Sequence, residues 1–167
     1  QNIAKGMEEE FESIFRRQLY VLVQFHEEVN EIIKTKDTKN LDVVIQRDDQ
    51  IMKFNMFSKR MLNKVGYKDS KKTCSIYSLC TMIEMILDDL RDICKILKVR
   101  SLVSRKDLIK FSEDTLKQLK LFLEVFNNFE ENKILKVQKM EVIGFDNLRK
   151  LINAGSKDAL LLSYFRN

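Results

Sequence analysis

Residues 72–99 read KTCSIYSLCTMIEMILDDLRDICKILKV. Ile76, Leu79, Cys80, Ile83, Leu87, Leu90, Cys94 and Leu97 recur in this stretch at spacings of three and four. That is the period of one face of an α-helix, and it predicts a helix from about Lys72 to Val99. The whole chain shares its lack of breakers, with four glycines and no proline in 167 residues. A β-rich fold needs a turn every ~8 to 12 residues, most often built from glycine or proline. Four glycines cannot supply so many turns, so the fold class is all-α, built from long helices with few interruptions.

Five more helical segments follow from the same periodicity. The first covers about Met7 to Lys34, with Phe11, Ile14, Phe15, Leu22, Phe25, Val29, Ile32 and Ile33 on its inner face. The second covers about Leu41 to Val65, with Asn40 placed to cap its start and Gly66 just past its end. The fourth opens at Ser104, with Asp107 three residues on as a capping-box variant, and runs to about Phe129. The fifth covers about Asn132 to Asn153 and is followed by Gly155. The sixth starts near Ser156 and is cut off at Asn167. Helices of this size are ~30 to 42 Å long. Short links between them force antiparallel neighbours, so the expected architecture is an elongated antiparallel bundle.

Composition narrows the function classes. The chain is 44% hydrophobic and 33% charged, which is enough apolar material for a core. No uncharged apolar run reaches the roughly 18 to 20 residues needed to cross a bilayer. Thirty Lys and Arg against 25 Asp and Glu give a net charge of +5, which permits an anionic partner without requiring one. Cys74, Cys80 and Cys94 are odd in number and lack CxxC spacing, so neither a disulfide framework nor a zinc site is indicated, and a reducing cytoplasm is expected. They are read as small buried hydrophobes. The single histidine, His26, rules out a Ser-His-Asp set and HExxH, and a di-metal bundle would need Glu-x-x-His twice. No glycine lies in a phosphate-binding loop, so the chain is read as not an enzyme. The start at Gln1, with no signal peptide before the first helix, suggests that an upstream segment is missing.

An internal repeat organises the chain. Leu62-Asn63-Lys64-Val65-Gly66-Tyr67-Lys68-Asp69 and Ile152-Asn153-Ala154-Gly155-Ser156-Lys157-Asp158 both read aliphatic, Asn, then Gly-x-Lys-Asp with one deletion. Both sit at a helix–helix junction. Residues 1–100 then form one three-helix repeat and 101–167 a second, truncated at its C-terminus.

Three carboxylates stand out. Glu84 and Asp88, four apart on the third helix, fall ~80° and ~120° from Ile76 at the centre of the apolar stripe. They edge the core and need a cation: Arg91, Lys95, a lysine from another helix, or a metal. Asp48 lies on the same stripe of the second helix as Leu41, Val44, Ile45 and Met52. An acid there must be paired or must coordinate something. Asn55, near the same stripe, is placed to hydrogen-bond across the bundle. Two basic stretches, Lys59–Lys72 and Lys98–Lys110, fall at opposite ends of the third helix. Tyr67 is the one aromatic set among their charges, so single-strand nucleic-acid binding is weakly indicated.

These segments resemble the PhoU-like phosphate-uptake regulators, most closely their archaeal branch. Val44-Ile45-Gln46-Arg47-Asp48-Asp49-Gln50-Ile51 is similar to the family's first acidic motif, and Ile83-Glu84-Met85-Ile86-Leu87-Asp88 to its second. Leu62 to Thr73 between them is also similar. The resemblance implies two tandem three-helix repeats. It implies a non-enzymatic role in restraining phosphate import through contact with a phosphate transporter component or its sensor kinase. Separately, if the truncated sixth helix leaves apolar surface open, a homodimer is expected. Iron or zinc is the cofactor it implies, with Asp48, Glu84 and Asp88 as the matching metal ligands. Met52 replaces the remaining carboxylate of the first repeat, and Met140 and Gly144 occupy the motif positions of the second, near Glu141 and Asp146. Archaeal relatives often carry a DNA-binding domain upstream, so the alternative is the sensing or dimerisation module of a transcription regulator, with nucleic acid bound only through that upstream domain.

Overall fold

The computed structural model describes residues 2–99, 105–155 and 159–165. These residues form six α-helices: α1 (Asn2–Thr35), α2 (Leu41–Val65), α3 (Thr73–Val99), α4 (Arg105–Asn127), α5 (Glu131–Asn153) and α6 (Ala159–Tyr164). A 3-10 turn at Ser70–Lys72 leads into α3. The all-α expectation holds among the described residues. α2 has the predicted ends, while α1 begins five residues earlier than its apolar stripe suggested. Ser104 and Ser156, predicted to open α4 and α6, lie outside the described residues.

Helix ends show where local chemistry acts. Asn40 precedes α2 but its side chain makes no capping hydrogen bond. Asp69 caps instead, accepting from the Lys71 backbone N–H at 3.2 Å and starting the 3-10 turn. Gly66 follows α2 with φ 76° and ψ −174°, a region open in practice to glycine alone. Its N–H still donates to the Leu62 carbonyl at 3.0 Å. The turn it makes throws Tyr67 back onto α1, where the ring packs edge-on against Phe11 and the hydroxyl donates to Glu12.

α1 is the spine. It packs against α2, α3 and α4, whereas α5 packs only on α4 and α6. Cross-helix partners give the directions. Gln18 meets Asn55 and Glu28 meets Arg47, so α2 runs antiparallel to α1. Asp48 meets Arg91 and Asp42 meets Lys98, so α3 runs antiparallel to α2. Phe15 meets Phe126 and Lys34 meets Glu113, so α4 also runs antiparallel to α1. Lys133 at the start of α5 meets Glu124 near the end of α4 at 3.3 Å, so α5 folds back antiparallel to α4, and α1, α3 and α5 point one way and α2 and α4 the other.

The core follows from that placement. Phe15, Leu22, Phe25, Val29 and Ile33 of α1 are fully buried. The predicted inner face was too narrow: Gln18, Leu19, Val21, Val23 and His26 are buried as well. A helix enclosed on several sides must be apolar around most of its circumference. The continuous run Leu19-Tyr20-Val21-Leu22-Val23 carries that signal. Each large side chain taken out of water contributes about 1.5–3 kcal/mol, so α1 concentrates the apolar driving force.

Candidate functional site

The predicted acids lie on a polar seam between α2 and α3. Asp48, mid-way along the apolar stripe of α2, is buried as expected. Its Oδ2 accepts from Arg91 Nη1 of α3 at 3.0 Å. Arg91 Nη2 also reaches Asp88 Oδ1 at 2.5 Å. Asp88 is exposed, further from the core than its wheel position suggested. Burial alone would weaken the Arg91 guanidinium as a base, but Asp48 and Asp88 outweigh it and hold its pKa above the usual value. Glu84 pairs with a different cation, Lys59 of α2. Between these ion pairs, Asn55 Nδ2 donates to the Cys80 carbonyl at 3.0 Å, and Gln18 Nε2 of α1 donates to Asn55 Oδ1 at 2.7 Å. Asn55 thus ties three helices together, as its position on the stripe predicted.

Asp48 and Asp88 share one guanidinium and Glu84 is held by a lysine. The three carboxylates do not converge on one point. Among the described residues no group of three or more His, Cys, Asp or Glu is placed to hold a metal ion. Iron or zinc would need several carboxylates at once, each freed from its cation. The residues present do not fit such a centre.

Cys80 and Cys94 are buried, and burial pushes both thiols up to about 12, so they behave as small hydrophobes. Cys74 departs from that expectation and is exposed, because two residues before Ile76 it falls on the opposite side of α3 from the apolar stripe. Part of the positive charge in the two basic stretches is locally answered. Lys59 meets Glu84, Lys68 meets Glu12 at 2.9 Å, and Lys98 meets Asp42 at 2.7 Å.

The periodicity did not reveal a cleft between α3 and α5. The Cα traces of these two helices do not come within 8 Å of each other among the described residues. The cleft has a volume of about 540 Å³, in the range of binding sites. α1 and α4 form its floor through Leu22 and Leu119, and its walls carry Met82 and Ile86 of α3 and Met140 and Ile143 of α5. Phe165, just past α6, closes one end, stacked on His26 at 5.6 Å and edge-on to Phe111 at 6.4 Å. His26 is buried and its Nε2 has no hydrogen-bond partner. Burial, aided by the Lys120 charge, lowers its pKa to about 4. A sequence signal for the cleft exists in α5. Leu135, Val142, Ile143, Phe145 and Ile152 are exposed in addition to its buried Leu148, a wider apolar band than one packed face requires.

Among the described residues, no helix is long and apolar enough to cross a membrane. Comparison of the chain with protein-family models, with curated proteins and with solved structures finds no match.

Two outcomes test this geometry. Arg91→Met leaves Asp48 buried without a partner and should destabilise the fold by about 3 kcal/mol in urea unfolding. Adding Asp48→Leu should recover most of that loss, because the uncompensated charge is gone. For His26 the folded pKa lies below the unfolded value near 6.5. The unfolded chain therefore takes up the proton first as pH falls. The stability contribution is fully present above about pH 6.5 and is lost toward about pH 4, at up to about 1.4 kcal/mol per pH unit. Urea midpoints at pH 7.5, 6 and 5 should fall accordingly, and His26→Leu should flatten that fall.

Proposed function

We propose that this chain is a non-enzymatic regulator of the PhoU-like kind, working by protein–protein contact to restrain phosphate import. Its partner on this reading is a phosphate transporter component or that transporter's sensor kinase, on the cytoplasmic side of the membrane. The observation that carries the contact reading is the α3–α5 cleft, an open apolar surface walled by flexible methionines. Apolar patches of this kind mark interaction surfaces, and methionine side chains adapt to a partner's shape. The phosphate assignment rests on the acidic motifs at Asp48 and at Glu84 and Asp88.

On this reading those carboxylates set the spacing of α2 and α3 through Arg91 and Lys59, and the protein needs no iron or zinc to fold. The two-repeat organisation is part of the proposal, with α4–α6 corresponding to α1–α3. Its support is that α2 and α5 are each the second helix of an antiparallel hairpin, and that Gly66 and Gly155 beyond them both have positive φ, 76° and 71°.

Deletion of this chain in the organism that encodes it tests the function. Uptake of radiolabelled inorganic phosphate in phosphate-rich medium should rise several-fold, and the wild-type chain should return it to its starting level. Unchanged uptake would contradict the phosphate assignment.

A further inference from the structure

The α3–α5 cleft has properties that select its occupant. The first is shape. The α3 wall runs from Leu79 to Leu90 and the α5 wall from Val137 to Leu148. Each stretch is ~17 Å of helix, and the two helices run in the same direction with no contact between them. The gap is thus a trough between two parallel helices, floored by α1 and α4. Helix anchors at i, i+3, i+4 and i+7 span ~10.5 Å and fit within that length.

The second is charge. Among the described residues, no Lys or Arg lines the cleft. Its carboxylates are Asp114 of α4, Glu141 of α5 and Asp89 of α3, the last already engaged in an interaction of its own, and His26 is neutral at pH 7. Asp114 is met by Lys117 at 3.4 Å, in an exposed pair of little strength. Glu141 stands in no ion pair among the described residues. A chain of net charge +5 therefore presents an acidic, apolar trough.

The third is Gly144, in the middle of α5 and lining the cleft. An added Cβ there would meet nothing within 4 Å, so the residue's small size serves no packing in this chain. Glycine inside a helix is destabilising relative to alanine. A small residue at mid-wall does allow a second helix to approach closely. At the closed end, the unpartnered Nε2 of buried His26 adds one polar site.

We infer that the α3–α5 cleft receives a basic amphipathic helix from a partner protein, its apolar face seated over Gly144 and its lysines or arginines meeting Glu141 and Asp114. This rests on the contact reading above and names the chemistry of the partner. An anionic lipid or an acidic helix would meet like charge from these two carboxylates.

Selection from a displayed library tests it. The library carries helical 16-residue peptides with apolar residues at i, i+3, i+4 and i+7 and random residues elsewhere, and the target is the whole chain. Enriched peptides should be net positive. The best of them, labelled with fluorescein, should bind at least tenfold more weakly to Gly144→Leu and to Glu141→Lys, with thermal unfolding of neither variant below that of the wild type. No enrichment, enrichment of acidic peptides, or binding indifferent to both variants would overturn the inference. Sedimentation of the chain alone should show a monomer; a dimer broken by Gly144→Leu would give the cleft to a second copy and overturn the partner assignment. Peptide binding with unchanged phosphate uptake on deletion would sink the phosphate reading alone. Raised uptake with no peptide binding would sink the cleft assignment alone.

Discussion

Everything in this molecule is arranged around the need to enclose α1. Phe15, Leu22, Phe25, Val29 and Ile33 are fully buried, and Gln18, Leu19, Val21, Val23 and His26 are buried with them. A helix apolar on so many sides cannot rest on a single neighbour. α2 and α3 cover one side and α4 another. That demand leaves α5 outside, attached through α4 and α6, and it opens the trough between α5 and α3.

The polar groups follow the same geometry. Ridge packing alone is tolerant of sliding along a helix axis, and hydrogen bonds fix the register. Asn55 joins α1, α2 and α3 at one level, through Gln18 and the Cys80 carbonyl. Asp48 with Arg91, and Lys59 with Glu84, fix α2 against α3 above and below that level. Because these are cation–carboxylate pairs, each acid has its charge answered inside the bundle. The residues most suggestive of a metal centre in the sequence thus act as registration points. Among the described residues the cleft carries acid and apolar groups without a lysine or arginine, which suits it to a partner.

Much of this was legible in the sequence. The periodicity of residues 72–99 predicted α3, and the scarcity of glycine and proline predicted the all-α class. The wheel positions of Asp48 and Asn55 predicted burial and cross-bundle bonding, because a polar residue on an apolar stripe has few alternatives. What was not legible depended on relations between helices. One inner face was assigned to α1, since a stripe does not say how many neighbours it has. Glu84 and Asp88 lie four apart and were read together, but their cations come from α2 for one and α3 for the other. Cys74 is the exception: it lies on the far side of α3 from Ile76, so its exposure follows from the wheel and not from a neighbouring helix. The cleft was hidden because a gap between two helices is a property of their separation, and the wide apolar band of α5 does not say what it faces.

The central claim is that α1 is the enclosed spine and α5 the loosely held wall of an open trough. Amide hydrogen exchange, resolved by residue, reads this directly. In the chain without a partner, amides from Leu19 to Val29 of α1 should exchange only through global unfolding. Those from Met140 to Leu148 of α5 should exchange through local openings costing several kcal/mol less. Equal protection of the two segments would mean that α5 is packed as firmly as the spine, and would contradict the account.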